Sequence, residues 1–451
     1  MPRFTWLAAA AAVSLLAAGC SSSPSPATST SNTSTTSFGT LSASQHVSIT
    51  LASYLPLLGT PGTDELHSLV SGFESAHPNI AVTIEPETSS SAIAGMVQQD
   101  EVSGHTPDVV QDSFNDLKFM ASSLGAANLD QVVGSARVQS LFGGPTPYAT
   151  AVTKLAQVDG QVYGIPWTLS TPILFYNSDL FTTAGLNSAS PPATWAQVQA
   201  DALKIKSATG AAGVVSGCIG AAASGSDWCL QAILDSDGGS VMNQAQTALS
   251  FDSAGNVAAL TAMQGLAKSG AMVNLSSAQM IAAFAAGKLA MVLDTSALAG
   301  SLLKAAGGRF TIKATPLPSF GSAPSVPTNS GSALFMLSKQ KPEQEADFEL
   351  MQWLTSAASE TSITSNIGYP PLRPSIATMA QYLRSYSASN QFLAPNLAQL
   401  VRLTPWLAYP GPNYTSITTL LTNAAANIVF QGQAPAAALA GAQQQAEGLL
   451  P

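Results

Sequence analysis

Charge is scarce in this chain. Only 9% of its 451 residues are Asp, Glu, Lys or Arg, and the 16 basic residues are outnumbered by 25 acidic ones. No basic cluster appears, which argues against a nucleic-acid partner. Beyond the first twenty residues no apolar run reaches the eighteen or so residues of a spanning helix, so nothing suggests a channel or permease. The four histidines, His46, His67, His77 and His105, make no metal spacing and have no third ligand nearby, which argues against zinc. No Gly-x-Ser-x-Gly elbow or phosphate loop is present. No cofactor is expected.

The first twenty residues are the most informative. Arg3 precedes an apolar run from Trp6 to Ala18, broken only by Ser14, that leads into Leu16-Ala17-Ala18-Gly19-Cys20. A charged start, an apolar core and small residues before a cut site make a secretory signal peptide. A cut site ending on cysteine is the bacterial lipoprotein pattern, with residues 1–19 removed and Cys20 carrying lipid. Such signals usually have Leu three residues before the cysteine, where this chain has Ala17. The plainer alternative is an ordinary signal peptide with an incidental Cys20. The Ser-, Thr- and Pro-rich stretch 20–45 holds too little apolar surface to offset its ordering entropy, and reads as a disordered tether. An extracytoplasmic body, touching the cell membrane through lipid alone, is expected. Its formal charge is −10, the chain's −9 less the +1 of Arg3.

About 400 residues remain, too many for one small core, which points to two lobes. Val47–Leu51 alternates as a strand. Leu66, Leu69, Val70 and Phe73 then make one helix face, and Ile80–Ile84, a helix over 92–103 and a buried strand over 106–111 follow. This rhythm predicts an α/β fold with mixed, mostly parallel sheets. It resumes with strands near 161–167 and 172–177, and Thr194-Trp195-Ala196-Gln197 is a capping box opening a helix with Trp195, Val198, Ala202 and Ile205 inward. Leu289–Leu293 and Ser332–Leu337 read as strands, 316–327 as irregular, and the chain beyond Met379 as helical. Cys218 and Cys229 flank a Gly-, Ala- and Ser-rich segment that could loop back to form a disulfide, worth roughly 3 kcal/mol on the chain-entropy model. The alternative is two buried thiols.

Several segments together resemble a known family, the extracellular solute-binding proteins of ABC importers, in the branch that binds sugars and glycerol-3-phosphate. Phe73–Ile80 is similar to the family's first helix-to-strand corner, and Pro107–Val110 to its third strand. Gly164-Ile165-Pro166, Leu174–Phe181 and Ala184–Leu186 resemble its strand-and-helix crossover. Pro192–Trp195 and Phe284–Met291 resemble two further motifs. Their order holds across about 330 residues. The resemblance implies a two-lobed fold of the periplasmic-binding-protein type (type II), with hinge-linked lobes. The expected limits are 46–168 plus 316–368 for one lobe and 169–315 plus 369–451 for the other. It also implies a monomer that captures a small solute and hands it to the permease subunits.

A closer likeness to the glycerol-3-phosphate-type members covers Ser170–Pro172, Thr295–Ala299, Asn329–Ser332 and Ile367–Leu372. It implies that Ser170, Ser296, Gly331, Ser332 and Tyr369 face the ligand, with Trp228 as a cleft tryptophan. The arginine that meets phosphate in that subgroup is missing from the matching stretch, 405–414. A buried phosphate without a cation would be costly. A neutral sugar needs hydroxyl-bonding groups and aromatic platforms, which Trp167, Trp228, Trp406, Tyr369, Tyr409 and Tyr414 offer, with Asp112, Asp294 and Asn329 as hydroxyl partners. A neutral sugar or oligosaccharide is therefore expected, with glycerol-3-phosphate or a glycerophosphodiester as the alternative. The rival from another class is a lipid-anchored serine hydrolase. It rests on two Ser-x-x-Lys matches, Ser301–Lys304 and Ser338–Lys341, but Lys268-Ser269-Gly270 precedes both, against the order such enzymes use.

Overall fold

The computed structural model describes residues 38–87, 93–223, 225–243, 245–411 and 413–451. Cys20, the leader before it and the tether as far as residue 37 lie outside the described residues. Within the stretch read from sequence as tether, Phe38, Gly39 and Leu41 pack on the body, while residues 42–45 are exposed. Phe38 meets Phe348 edge-on at 5.9 Å, and the Gly39 and Leu41 amides donate to Glu345 and Glu349 at 2.7 and 3.0 Å. Two apolar anchors, Phe38 and Leu41, offset the ordering entropy that the rest of the Ser/Thr composition cannot.

Eleven strands are described. They are β1 (Val47–Ser53), β2 (Ile80–Pro86), β3 (Val109–Ser113), β4 (Gln157–Val158), β5 (Gln161–Val162), β6 (Gly164–Ser170), β7 (Pro172–Asn177), β8 (Ala212–Ser216), β9 (Leu289–Thr295), β10 (Ile312–Pro316) and β11 (Ser330–Met336). They form a five-stranded sheet in the order β2-β1-β3-β11-β6, a four-stranded sheet in the order β10-β7-β9-β8, and the small hairpin β4-β5. In the two larger sheets three pairings are parallel (β1 with β2, β1 with β3, β8 with β9). The other four, β3–β11, β6–β11, β7–β9 and β7–β10, are antiparallel. The sheets are thus mixed but not mostly parallel. Strands β6, β7, β10 and β11 run against their neighbours, which one-strand-at-a-time reading cannot reveal.

Local sequence explains the helices that cover these sheets. Thr60–Ala76 buries Leu66, Leu69, Val70 and Phe73 on one face and ends at His77, before a proline. Fully burying each such side chain contributes about 1.5–3 kcal/mol. The helix Trp195–Thr209 has the full capping box, with Thr194 accepting from the Gln197 amide, and Gly210 ends it in the left-handed conformation. Its buried residues are Trp195, Val198, Ala202 and Ile205.

Separate cores lie against the two sheets. Leu51, Phe73, Trp167, Met336 and Phe348 share one, and Leu174, Trp195, Phe251, Leu421 and Ile428 share another. A single residue, Thr171, carries the chain from β6 in one sheet to β7 in the other. Its hydroxyl donates to Asn396 Oδ1 at 2.9 Å and accepts from Gln399 Nε2 at 2.8 Å. Gln399 Oε1 also accepts from the Leu317 amide just after β10 at 2.9 Å, so one side chain holds both passages.

Candidate functional site

Strand ends of the five-stranded sheet, with loops and helix starts facing them, surround a cavity of about 630 Å³. Tyr54 follows β1, and Ser113, Asn115 and Asp116 follow from the carboxyl end of β3, where ligands of open α/β sheets lie. Ser330 and Gly331 open β11. Gly331 has φ 132°, and a Cβ there would meet the Thr168 carbonyl oxygen at 2.1 Å, so only glycine fits where β11 presses on β6. Facing these are Trp228, which opens the helix Trp228–Asp235, the segment Trp406–Tyr409, and the first turns of the helix Tyr414–Gln431. Tyr369 completes the wall.

The aromatic wall is tied by a polar bracket. Asp227 Oδ1 accepts from Trp406 Nε1 at 2.9 Å, and Oδ2 accepts from the Tyr409 hydroxyl at 2.8 Å and from Gln231 Nε2 at 3.0 Å. Gln231 bonds both the amide and the carbonyl of Leu407, each at 3.0 Å. Behind the cavity a second chain of bonds runs Ser53–Gln111–Ser332–Thr168, at 2.6, 3.0 and 2.7 Å.

No Lys, Arg or His lines the cavity among the described residues. Its charged groups are carboxyls. Burial pushes Asp116 up to about 6. Burial raises Asp112 well above the usual carboxylate range, and the nearby Asp116 charge adds to the effect. Asp112 Oδ1 accepts from the Ser113 amide at 2.7 Å, while Oδ2 has no partner. Burial also raises Asp227, against the pull of the hydrogen bonds from Gln231, Tyr409 and Trp406.

Of the residues singled out from sequence, Trp228, Gly331, Tyr369, Trp406, Tyr409 and Tyr414 line the cavity. Asn329 and Ser332 lie one layer behind it. Asn329 Oδ1 accepts from the Trp406 amide at 3.0 Å, and Ser332 belongs to the chain of bonds just described. Asp112, Ser170 and Ser296 are buried outside the lining, and Asp294 is half-buried outside it. Asp294 packs on Gly217, where a Cβ would meet its carboxylate at 2.3 Å, and Ser296 Oγ accepts from the Thr171 amide. Trp167, offered from sequence as an aromatic platform, does not reach the cavity. It lies in β6, is 2% exposed, and donates through Nε1 to the Leu354 carbonyl at 3.0 Å in the core. Tyr54, Asp116 and Asp227 were missed; each directly follows a strand or precedes a helix, a position that marks a rim only once the sheet is known.

Arg373 and Arg402, both upstream of the missing-arginine stretch, do not reach the cavity lining. Cys218 and Cys229 are joined in a disulfide with Cα atoms 4.9 Å apart, beside Trp228. Neither Ser-x-x-Lys motif reaches the cavity. Ser338 donates to Asp108 at 2.8 Å, and Lys341 pairs with Glu345 at 3.6 Å.

Residues 59–361 match the family model described as bacterial extracellular solute-binding protein, and the chain belongs to that family. A 58-residue segment is 45% identical to the sn-glycerol-3-phosphate-binding periplasmic protein UgpB of Agrobacterium fabrum, spanning only 13% of either chain. Across 65% of this chain and 69% of the relative, it is 27% identical to a putative binding protein of Brucella abortus. Among solved structures, UgpB from Mycobacterium tuberculosis in complex with glycerophosphocholine superposes with TM-score 0.76 at 19% identity, over 89% of this chain and 98% of that one. The cyclic alpha-maltosyl-1,6-maltose binding protein from Arthrobacter globiformis gives TM-score 0.74 at 19% identity, over 90% and 99%. These likenesses show the two-lobed α/β fold of periplasmic binding proteins.

Proposed function

We propose that this protein captures a neutral sugar or oligosaccharide in the cavity and delivers it to the permease of an ABC importer. The carrying observation is the lining: aromatic rings, hydroxyls and carboxyls, with no cation among the described residues. Rings stack on the apolar face of a sugar, and carboxylates accept from its hydroxyls. An anionic phosphate would lie beside the Asp116 carboxyl without a compensating cation. The sugar-binding structural neighbours agree with this reading. The second reading, a glycerophosphodiester, is favoured by the short UgpB match and by the neighbour holding glycerophosphocholine. Capture is by hinge closure of the lobes 46–168 plus 316–368 and 169–315 plus 369–451, turning at passages such as Thr171, and it breaks no bond.

Native mass spectrometry of co-purified solute, followed by calorimetry with maltose, maltotetraose, glycerol-3-phosphate and glycerophosphocholine, tests this. A saccharide is expected to bind with an affinity that changes less than about twofold between low and high salt, since no exposed ion pair is formed. Tight, salt-sensitive binding of glycerol-3-phosphate would reverse the choice, and turnover of a chromogenic β-lactam would revive the hydrolase. The lipid anchor has its own test. Cys20→Ala is expected to release the protein from the membrane fraction without acylation. A variant that stays there with an N-terminal lipid would refute the anchor.

A further inference from the structure

We infer that Asp227 is the positioning residue of this site: its carboxylate fixes the aromatic wall Trp406–Tyr409 against the helix that begins at Trp228. The inference rests on the cavity being the solute site, and adds which buried group gives that site its shape.

The segment 406–409 lies in neither helix nor strand, so no regular ladder holds it. Its order comes from side chains. Three donors converge on Asp227, at 2.9 Å from Trp406, 2.8 Å from Tyr409 and 3.0 Å from Gln231. A carboxylate offers about four acceptor sites, and three are taken by these donors. Asp227 is fully buried, at 0% exposure, and no Lys or Arg pairs with it among its described contacts. A buried carboxyl without a counter-ion is costly unless its hydrogen bonds do necessary work. The work here is geometric. The indole N–H and the phenol O–H reach one carboxylate, so both rings stand at fixed angles to the cavity. Gln231 couples the same carboxylate to the backbone between them through both polar groups of Leu407. Charge on Asp227 strengthens all three bonds.

An asparagine at 227 has the same shape but one acceptor oxygen and an added NH2. Gln231 Nε2 would face that NH2 donor to donor, because Gln231 is held in orientation by Leu407. The wall would lose its common anchor while the core stays intact.

The test has a solute-free arm. The full-length chain is labelled with 5-fluorotryptophan, and the Trp406 resonance is assigned by its loss in Trp406→Phe. In Asp227→Asn the Trp406 line is expected to shift and broaden, while the Trp167, Trp195 and Trp353 lines stay in place. General destabilisation would move all of them together. An unchanged Trp406 line overturns the inference. In the binding arm, Asp227→Asn is expected to weaken maltotetraose at least tenfold, but less than about twofold in a Trp406→Phe/Tyr409→Phe background, where both bonds from the rings to Asp227 are already gone. A tenfold loss persisting in that background means Asp227 touches the solute directly and overturns the positioning role. Gln231→Leu, which lies outside the lining, gives a second route if Asp227→Asn does not fold. It is expected to shift the Trp406 line and to weaken maltotetraose at least threefold, and an unchanged line and affinity would overturn the inference. If wild-type protein fails to bind maltotetraose, the saccharide reading falls, and the fluorine arm still decides the role of Asp227.

Discussion

Trp228→Ala is expected to weaken saccharide binding about thirtyfold. Truncating a buried aromatic at the centre of a contact typically costs about 2 kcal/mol or more, and each 1.4 kcal/mol is tenfold in affinity. The Trp228 ring lines the cavity, is 7% exposed, and stands at the first turn of a buried helix, so its surface is already oriented for a flat partner. Arg402→Ala is the matched control. Its guanidinium donates to the Ser325 carbonyl outside the cavity lining, so affinity is expected to stay within about twofold. Titration calorimetry with the co-purified saccharide compares the two. A larger loss from Arg402→Ala than from Trp228→Ala would place the solute somewhere other than against this wall.

Arg373→Ala is expected to act on stability and to leave the chemistry of the cavity alone. Arg373 is 5% exposed and faces Glu360, 3% exposed, at 3.2 Å. Its other donors reach the carbonyls of Thr355, Thr146 and Leu141 at 3.2, 2.6 and 3.0 Å, and its guanidinium lies 4.1 Å from the centre of the Tyr148 ring. Removing the cation strands a buried carboxylate and three carbonyls. Breaking a buried pair in this way costs about 3–5 kcal/mol. Urea denaturation should show that loss, and Arg373→Met combined with Glu360→Gln should recover part of it. An Arg373→Ala protein within 1 kcal/mol of wild type would mean that water already reaches this pair. Arg373 directly follows Ile367–Leu372, a segment that resembles a ligand-lining stretch, which makes it a natural suspect for ligand binding. Its hydrogen bonds give it a different task.

Features written locally were legible before any fold was known. The capping box at Thr194, the apolar face Leu66–Phe73 and the stop at His77-Pro78 are each fixed within a few residues. Family resemblance carried the two-lobed plan further than periodicity could, because strand pairing depends on residues far apart. Ala333, for example, pairs with Asp112 across more than two hundred positions, and antiparallel to it. The cavity was half legible. Tyr369, Trp406 and Tyr409 are large aromatics in irregular segments, Trp228 opens a helix, and all four line the cavity. Trp167 is just as aromatic and just as close to a turn, yet it belongs to a strand buried at every position. Nothing in the neighbourhood of Tyr54 or Asp116 marks them, since their importance comes only from the strand ends they follow. Asp227 was passed over for a related reason: its value lies in what it holds, and its partners at 406 and 409 are nearly two hundred residues away.

The glycine at 331 also limits how this pocket can be redesigned. With the Thr168 oxygen 2.1 Å from where a Cβ would stand, no library of side chains at that floor position would survive, whatever solute is wanted. Retargeting the protein as a biosensor would therefore have to leave the floor untouched and vary the opposite side. There Thr415, Thr418 and Thr419 reach the cavity from the helix Tyr414–Gln431, whose own hydrogen bonds hold their backbone.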